Sequence, residues 1–188
     1  MMKCSVFIAT SADGFIASPE GDVSWLHSAG NTQADMSVDP DMGFKDYLAQ
    51  VDCMIMGRKC MEMISSFNLS DEQWPYGNLK IYVLSQTVAK APENLQARVE
   101  MYAGDVKTLI RNLEQQGYQH AYIDGGSTIT SFLNLQLINE MTITKAPVLL
   151  GKGIALFGET NGSIKLSNSQ TIAFPNDFIQ VKYDVCYE

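Results

Sequence analysis

Histidine is almost absent from this chain, and its few cysteines stand apart from one another. Two histidines and four cysteines occur among 188 residues, and no two cysteines form a C-x-x-C pair. A zinc site needs about four such ligands, usually as closely spaced pairs, so we predict no metal centre. Cys4, Cys53 and Cys186 fall inside strand-like apolar runs, where an unpaired cysteine behaves as a small hydrophobic residue.

The chain also lacks long apolar runs and an excess of positive charge. No run approaches the ~18 apolar residues of a membrane helix, and polar residues interrupt the N-terminal apolar segment before a signal-peptide core forms. Lys and Arg number 13 and Asp and Glu 21, a net charge of −8. A nucleic-acid-binding face would be basic. We therefore expect a cytoplasmic protein that binds neither membranes nor nucleic acid.

Three familiar motifs of nucleotide-binding proteins and hydrolases are missing as well. The first strand is followed by Ser11-Ala12-Asp13-Gly14, so the G-x-G-x-x-G fingerprint of a Rossmann fold is absent. Gly151-Lys152-Gly153 lacks the leading glycine and the Ser or Thr of a P-loop. No G-x-S-x-G elbow of a hydrolase occurs. A nucleotide would therefore need a different kind of site.

One strand pattern ends in paired glycines. His120–Asp124 runs into Gly125-Gly126, and Ser127-Thr128 then opens an apolar-periodic segment. Adjacent glycines expose backbone N–H groups, and the start of a helix carries partial positive charge, which suits a phosphate or pyrophosphate. An ordinary strand-to-helix turn has the same pattern.

A second strand pattern, Asp52–Met56, ends in Gly57 followed by Arg58 and Lys59. In an acidic chain an anionic ligand must be held by local cations of this kind. Two strand ends that both suit anions together suggest a dinucleotide.

The chain alternates strand and helix patterns and then finishes in strands. Apolar residues from Phe44 to Val51 recur at i, i+3, i+4 and i+7, which predicts a helix with an N-cap at Asp39-Pro40. Period-two alternation in Ile164–Ile172 and Phe178–Tyr187 predicts an antiparallel hairpin. We therefore predict an α/β fold in one domain over residues 1–188, with a mostly parallel sheet flanked by helices and an antiparallel C-terminal hairpin. The other predicted elements are strands at Lys3–Thr10, Val51–Met56, Lys80–Leu84, Val99–Tyr102, Ala121–Ile123 and Met141–Ala146, helices at about 58–65, 106–113 and 127–135, and a long loop at Thr10–Gly30.

Several segments within residues 3–158 form a larger pattern when they are taken in order. They are Ala9–Ala17, Gly21–Leu26, Asp52–Arg58, Lys80–Ser85, Gly125-Gly126 with Phe132-Leu133, Leu137–Glu140 and Pro147–Gly151. Together they resemble the dihydrofolate-reductase-like family, and within it the branch that includes the reductase domain of bacterial riboflavin biosynthesis. The resemblance implies an NADPH-dependent reductase of a small pyrimidine- or pterin-like heterocycle, similar to 5-amino-6-(5-phosphoribosylamino)uracil reductase. A true dihydrofolate reductase and a non-catalytic nucleotide-binding protein are the alternatives.

The resemblance also implies a cofactor site. Arg58, which follows Gly57, would hold the 2′-phosphate of NADPH, and Ser85 would add a hydroxyl donor. A solvated cation at the start of a helix is the alternative for Arg58. The pyrophosphate would lie on Gly125, Gly126, Ser127 and Thr128, and the nicotinamide against Ala9 and Ile16. In the family's G-R-x-T turn, Cys60 stands here in place of the threonine.

On the substrate side, the resemblance implies three residues, Asp41, Trp25 and Glu140. Asp41 matches a catalytic acid early in the helix before the G-R turn, although an acid there also complements the helix dipole, and Asp39 competes for either role. Trp25 and Glu140 would bind substrate, although Glu140 equally fits a solvated residue at the start of a strand. Phe7 replaces the lysine of the riboflavin branch.

We also expect a homodimer. Members of this branch commonly pair, and Phe178–Tyr187 offers an apolar face near a sheet edge, which a two-fold contact would cover. The alternative is that this face packs wholly inside the monomer.

Overall fold

Strands and helices alternate along most of the chain, and a computed structural model describes them over residues 1–187. No helix among these residues is long and apolar enough to cross a membrane. The same residues include no group of three or more His, Cys, Asp or Glu side chains that could hold a metal ion. The strands are β1 (Lys3–Ser11), β2 (Phe15–Ala17), β3 (Cys53–Gly57), β4 (Lys80–Leu84), β5 (Val99–Tyr102), β6 (His120–Asp124), β7 (Glu140–Ala146), β8 (Ile154–Ala155), β9 (Lys165–Ala173) and β10 (Ile179–Cys186). The helices are α1 (Trp25–Ser28), α2 (Phe44–Leu48), α3 (Arg58–Ser66), α4 (Val106–Gln115) and α5 (Gly126–Asn134).

The central sheet has eight strands in the order β5-β4-β3-β6-β1-β7-β10-β9. The first six lie parallel, whereas β10 runs antiparallel to both β7 and β9. The predicted parallel sheet with an antiparallel C-terminal hairpin is therefore confirmed. Because β1 lies between β6 and β7, the chain places its first strand in the middle of the sheet. The remaining strands, β2 and β8, pair separately beside the end of β1.

Helices cover both faces of the sheet, and each face has its own core. On one side Ile129 and Phe132 of α5 pack with Val6 and Ile123 of the sheet. On the other side Tyr47 of α2 joins a cluster in which three methionines, Met54, Met56 and Met61, are almost fully buried. Strands buried on both faces show continuous apolar runs, which explains why β3 was predicted from its composition.

Two regions differ from the prediction. The Asp39-Pro40 N-cap was wrong, because α2 begins four residues later, after Gly43 in the left-handed conformation at φ +83°. Glycine allows this sharp entry, and Pro40 does not start a helical turn. The Thr10–Gly30 segment, predicted as a loop, contains the short β2 and α1.

The amino ends of the strands hold a buried polar network. The Ser5 hydroxyl lies 2.8 Å from Tyr47 Oη and 2.7 Å from His120 Nε2. His120 Nδ1 lies 2.9 Å from the carbonyl of Gln50. Because a carbonyl only accepts, Nδ1 carries the proton and Nε2 accepts from Ser5. Burial lowers the pKa of His120, so the neutral ring with satisfied hydrogen bonds is favoured.

Candidate active site

The two glycine-terminated strand ends lie side by side. Met56 of β3 pairs with Asp124 of β6, so Gly57 and Gly125 leave neighbouring strands at the same edge of the sheet. A Cβ added to Gly57 would lie 2.8 Å from Thr128 Oγ1. Gly125 has φ +92°, and a Cβ there would lie 2.5 Å from the sulfur of Cys60. A side chain at either position would displace Thr128 of α5 or Cys60 of α3, so both helices start close to these strand ends.

Gly126 brings the start of α5 close to the segment around β8. A Cβ on Gly126 would lie 2.8 Å from the carbonyl oxygen of Ala155 and 3.3 Å from Cδ1 of Ile16. The N-cap of α5 is Gly125, which has no side chain to cap the first N–H groups. The N–H of Ile129 donates to the carbonyl of Gly125 at 2.8 Å. The opening turn of α5 therefore presents backbone donors suited to an anion.

Arg58 and Ser85 follow the ends of the adjacent strands β3 and β4. Gly57 pairs with Leu84, which places the two residues next to each other in the register. Arg58 Nη1 lies 2.6 Å from Glu62 Oε1, and its side chain is 37% exposed. The Ser85 hydroxyl accepts the N–H of Val88 at 2.9 Å, which leaves its own hydrogen to donate. Arg58 can leave Glu62 for a ligand at this edge, because an exposed i,i+4 ion pair is worth only about 0.3–0.5 kcal/mol. Ser85 can donate to the same ligand through its free hydroxyl hydrogen.

Asp124 is a candidate site residue that the sequence analysis missed. It ends β6 immediately before the paired glycines, and its side chain is largely enclosed. Burial raises the pKa of this carboxyl to about 6, and the N–H of Gly125 offsets only part of that effect. A carboxyl with such a pKa can hold and release a proton near neutral pH. Its position before Gly125-Gly126 was the available signal.

Aromatic rings cover the sheet on the same face as Asp124. Phe7 lies beside Tyr47, with ring centroids 4.9 Å apart, and 5.5 Å from Phe44. Phe44 in turn lies 6.4 Å from Tyr122 and 6.5 Å from Tyr76. These five rings, which we call the aromatic wall, leave Phe7, Phe44 and Tyr76 half-buried. The wall gives a planar ligand an apolar surface to stack on.

Asp13 fixes the loop that follows β1. Its carboxylate accepts the Ser11 hydroxyl at 2.6 Å and the N–H groups of Leu150 at 3.1 Å and Gly151 at 2.8 Å. The hydrogen bond from Ser11, followed by those from the two backbone groups, lowers the pKa of Asp13. This carboxylate therefore joins the segments after β1 and β7 and has no proton to offer a substrate.

Ala9 and Ile16, the expected nicotinamide neighbours, lie at the same end of the sheet. Ala9 of β1 is half-buried beside Thr144 of β7. Trp25 of α1 packs in an apolar cluster with Ala146 and Phe178. Its indole Nε1 is enclosed without a hydrogen-bond partner in the described structure.

Asp41 caps the short helix α2. Its two carboxylate oxygens accept the N–H groups of Gly43 at 3.1 Å and Lys45 at 2.9 Å, and the residue is exposed. Gln180, opposite Thr144 in the sheet, donates to the carbonyl of Met42 at 3.0 Å, so this turn lies over the carboxyl half of β7. The geometry matches the helix-capping alternative for Asp41.

Glu140 does not join the other predicted site residues. It begins β7 opposite Ser5, at the amino end of the parallel strands, and Ala146 at the other end lies roughly 20 Å away at about 3.3 Å per residue. Its carboxylate pairs with Lys3 at 3.3 Å and Lys182 at 2.9 Å. The expectation of a substrate-facing Glu140 is therefore not retained. The family resemblance that suggested this role could not show the two lysines that pair with the Glu140 carboxylate.

A family match agrees with this geometry. Residues 3–180 match the RibD C-terminal domain family. The chain belongs to this family. It is a family of reductases that generally bind NADPH, and the shared fold makes the chain a relative of these enzymes.

Individual relatives support the same fold. The uncharacterised protein YyaP of Bacillus subtilis (strain 168) is 28% identical over 185 residues, which span 94% of this chain and 91% of YyaP. A crystal structure from Shewanella sp. PV-4, provisionally described as a riboflavin biosynthesis protein, has a TM-score of 0.87 and 37% identity over 99% of this chain and 100% of its own. A diaminohydroxyphosphoribosylaminopyrimidine deaminase/5-amino-6-(5-phosphoribosylamino)uracil reductase from Thermotoga maritima has a TM-score of 0.69 and 15% identity, over 98% of this chain and 57% of its own.

Replacing Asp124 by Asn should stabilise the folded protein at pH 8. The folded pKa of Asp124 is about 6, above the unfolded value of about 3.9, so the wild type loses stability as pH rises from about 4 through about 6. The free energy of unfolding of Asp124→Asn minus that of the wild type should be roughly 1–3 kcal/mol larger at pH 8 than at pH 4. Urea unfolding at the two pH values measures this difference.

The exposed Asp46→Asn variant is the matched control, and its difference from the wild type should stay constant. A difference for Asp124→Asn that is equal at both pH values would show that Asp124 is not buried as described.

Proposed function

We propose that this chain is an NADPH-dependent reductase of a small planar heterocycle, of the pyrimidine or pterin type, in the cytoplasm. One observation carries the proposal. The glycines Gly57, Gly125 and Gly126 lie at the same edge of the sheet as Asp124, a carboxyl whose pKa burial raises to about 6. A surface for a dinucleotide and a group that can supply a proton are what such a reductase requires.

The residues at this edge fit the cofactor. The glycines leave bare backbone where Cβ atoms would collide, and the opening turn of α5 offers N–H donors to a pyrophosphate. Arg58 can donate two parallel hydrogen bonds to a 2′-phosphate once it leaves Glu62, and Ser85 can add a third. Ala9 and Ile16 are small enough and apolar enough to lie against the nicotinamide. When bound, NADPH would supply the hydride.

The chain itself would supply orientation, exclusion of water and a proton. The aromatic wall and Trp25 offer apolar surfaces to a planar ring, and Asp13 holds the neighbouring loops together. Asp124 would hold a proton on its carboxyl oxygen and deliver it to a ring nitrogen of the substrate. A pKa near 6 keeps enough of this carboxyl protonated to act around neutral pH.

A homodimer is proposed on the outer part of the sheet. On one face of the hairpin, Ile179 is 46% exposed and Leu166 38% exposed, and Val181, Tyr183 and Val185 of β10 are half-buried between them. The unpaired edge of β9 lies next to this face. A two-fold contact between copies would cover both features.

Arg58→Ala should weaken NADPH binding about 10- to 100-fold and leave NADH binding almost unchanged. The lost charge-assisted hydrogen bonds to the 2′-phosphate are worth ~1.5–3 kcal/mol, and NADH has no such group. Fluorescence titration with both cofactors measures the two affinities. The neighbouring, exposed Lys59→Ala serves as control and should change both affinities little. Equal losses for NADPH and NADH in Arg58→Ala would contradict the assignment.

Asp124→Asn should reduce turnover about 100-fold or more and spare NADPH affinity, because a positioned acid contributes at least that much. Wild-type turnover should decline as pH rises through about 6, where Asp124 loses its proton. NADPH oxidation in the presence of a reducible pyrimidine or pterin measures both effects. Asp41→Asn is the comparison, and it should keep most of its turnover, since Asp41 caps α2. The reverse ranking would favour the dihydrofolate-reductase alternative, in which Asp41 is the acid.

Light scattering should give about twice the monomer mass of 20.8 kDa. Ile179→Glu places a charge on the proposed contact and should produce monomers. Ile172→Glu is the control, because Ile172 is 52% exposed but pairs with Gln180 and so faces the opposite side of the sheet. A wild-type mass near 20.8 kDa would exclude the dimer.

A further inference from the structure

The face of the sheet that carries Asp124 has an unusual distribution of charge. Alternate residues of parallel strands share a face, and the register places Phe7 opposite Thr142 and Ala9 opposite Thr144. Among the side chains that β1, β3, β6 and β7 place on the carboxyl half of this face, none is a cation, and Asp124 is the carboxyl whose pKa burial raises to about 6. These side chains are Phe7, Ala9, Ser11, Met56, Tyr122, Asp124, Thr142, Thr144 and Ala146.

The two lysines that share this face form ion pairs at the amino end of the strands, away from Asp124. Lys3 and Lys182 both pair with Glu140 at the amino end of β7, at 3.3 Å and 2.9 Å. The Glu140 side chain is only 15% exposed, so its charge depends on the two lysines for compensation. On α2, Lys45 is exposed to solvent and lies outside the enclosed face of the sheet. No unpaired cation is therefore built into the described wall beside Asp124.

Phe7 lies in the middle of this uncharged region. Its ring contacts Tyr47 and Phe44, and Tyr122 donates its hydroxyl to the Phe7 carbonyl at 2.9 Å. If the ring of a ligand stacks on Phe7, a phosphate on that ligand that lies along the same face would lose water without gaining an unpaired counter-charge, which is costly. It would also meet the Asp124 carboxyl in a chain of net charge −8.

We propose that this reductase takes a flat heterocycle that carries no phosphate, and that Phe7 sets this preference. The proposal rests on the reductase function proposed above. The ring stacks on Phe7 and Phe44, and its N–H or amino groups meet the Asp124 carboxyl. A phosphoribosylaminouracil is then disfavoured by its phosphate, while the same compound without phosphate fits.

The test compares a matched pair of ligands, 5-nitro-6-(D-ribitylamino)uracil and its 5′-phosphate. Calorimetry at pH 7 gives both affinities for the wild type, with and without saturating NADP⁺. We expect the unphosphorylated compound to bind about tenfold more tightly or better, since the phosphate meets like charge without a partner. Equal affinities, tighter binding of the phosphate, or no binding of either compound would overturn the proposal.

Phe7→Lys places a cation at the centre of the aromatic wall and should shift the affinity ratio toward the phosphorylated compound about tenfold. Thr171→Lys adds the same charge on the exposed strand β9 and should leave the ratio unchanged. If circular dichroism shows that Phe7→Lys does not fold, the wild-type ratio alone decides. Failure of NADP⁺ to bind would count against the proposed cofactor, whereas the ratio measured without NADP⁺ still tests the substrate class.

Discussion

The closeness of β3, β6 and α5 at the carboxyl edge of the sheet is the constraint on which the rest of the site depends. Three positions there have no room for a Cβ atom, and what blocks them differs. Gly57 meets a threonine hydroxyl, Gly125 a cysteine sulfur and Gly126 a backbone carbonyl. Because backbone cannot move aside as a side chain can, Gly126 is the least replaceable of the three. Its packing directs the first turn of α5 and the segment near β8 toward each other.

That junction also determines the environment of Asp124. The residue precedes Gly125, so the turn proposed for the dinucleotide also encloses a carboxyl beside aromatic rings. Burial of this acid favours its protonated form and lowers the stability of the fold above about pH 6. Loss of stability at a functional group is common in enzymes. The other acids of the region have different tasks, since Asp13 binds two loops together and Asp41 caps α2.

Sequence reasoning reached most of the fold, because apolar periodicity is a direct consequence of burial. The two strands of the C-terminal hairpin and the helices after Gly57 and Gly125 lie within about two residues of their predicted bounds. The start of α2 could not be predicted, since it depends on a left-handed Gly43 that no periodicity shows. The ion pairs of Glu140 could not be predicted because its partners, Lys3 and Lys182, lie far away in sequence. Asp124 was missed because its burial depends on rings from three other segments, β1, α2 and the loop before β4, which are distant in sequence.

A crystal structure of the protein with NADP⁺ tests the central claim most directly. We expect the pyrophosphate on the backbone N–H groups of the first turn of α5, the 2′-phosphate against Arg58 and Ser85, and the nicotinamide beside Ala9 on the side of Asp124. NADP⁺ bound at another part of the surface, or crystals that stay free of it at saturating concentration, would contradict the account.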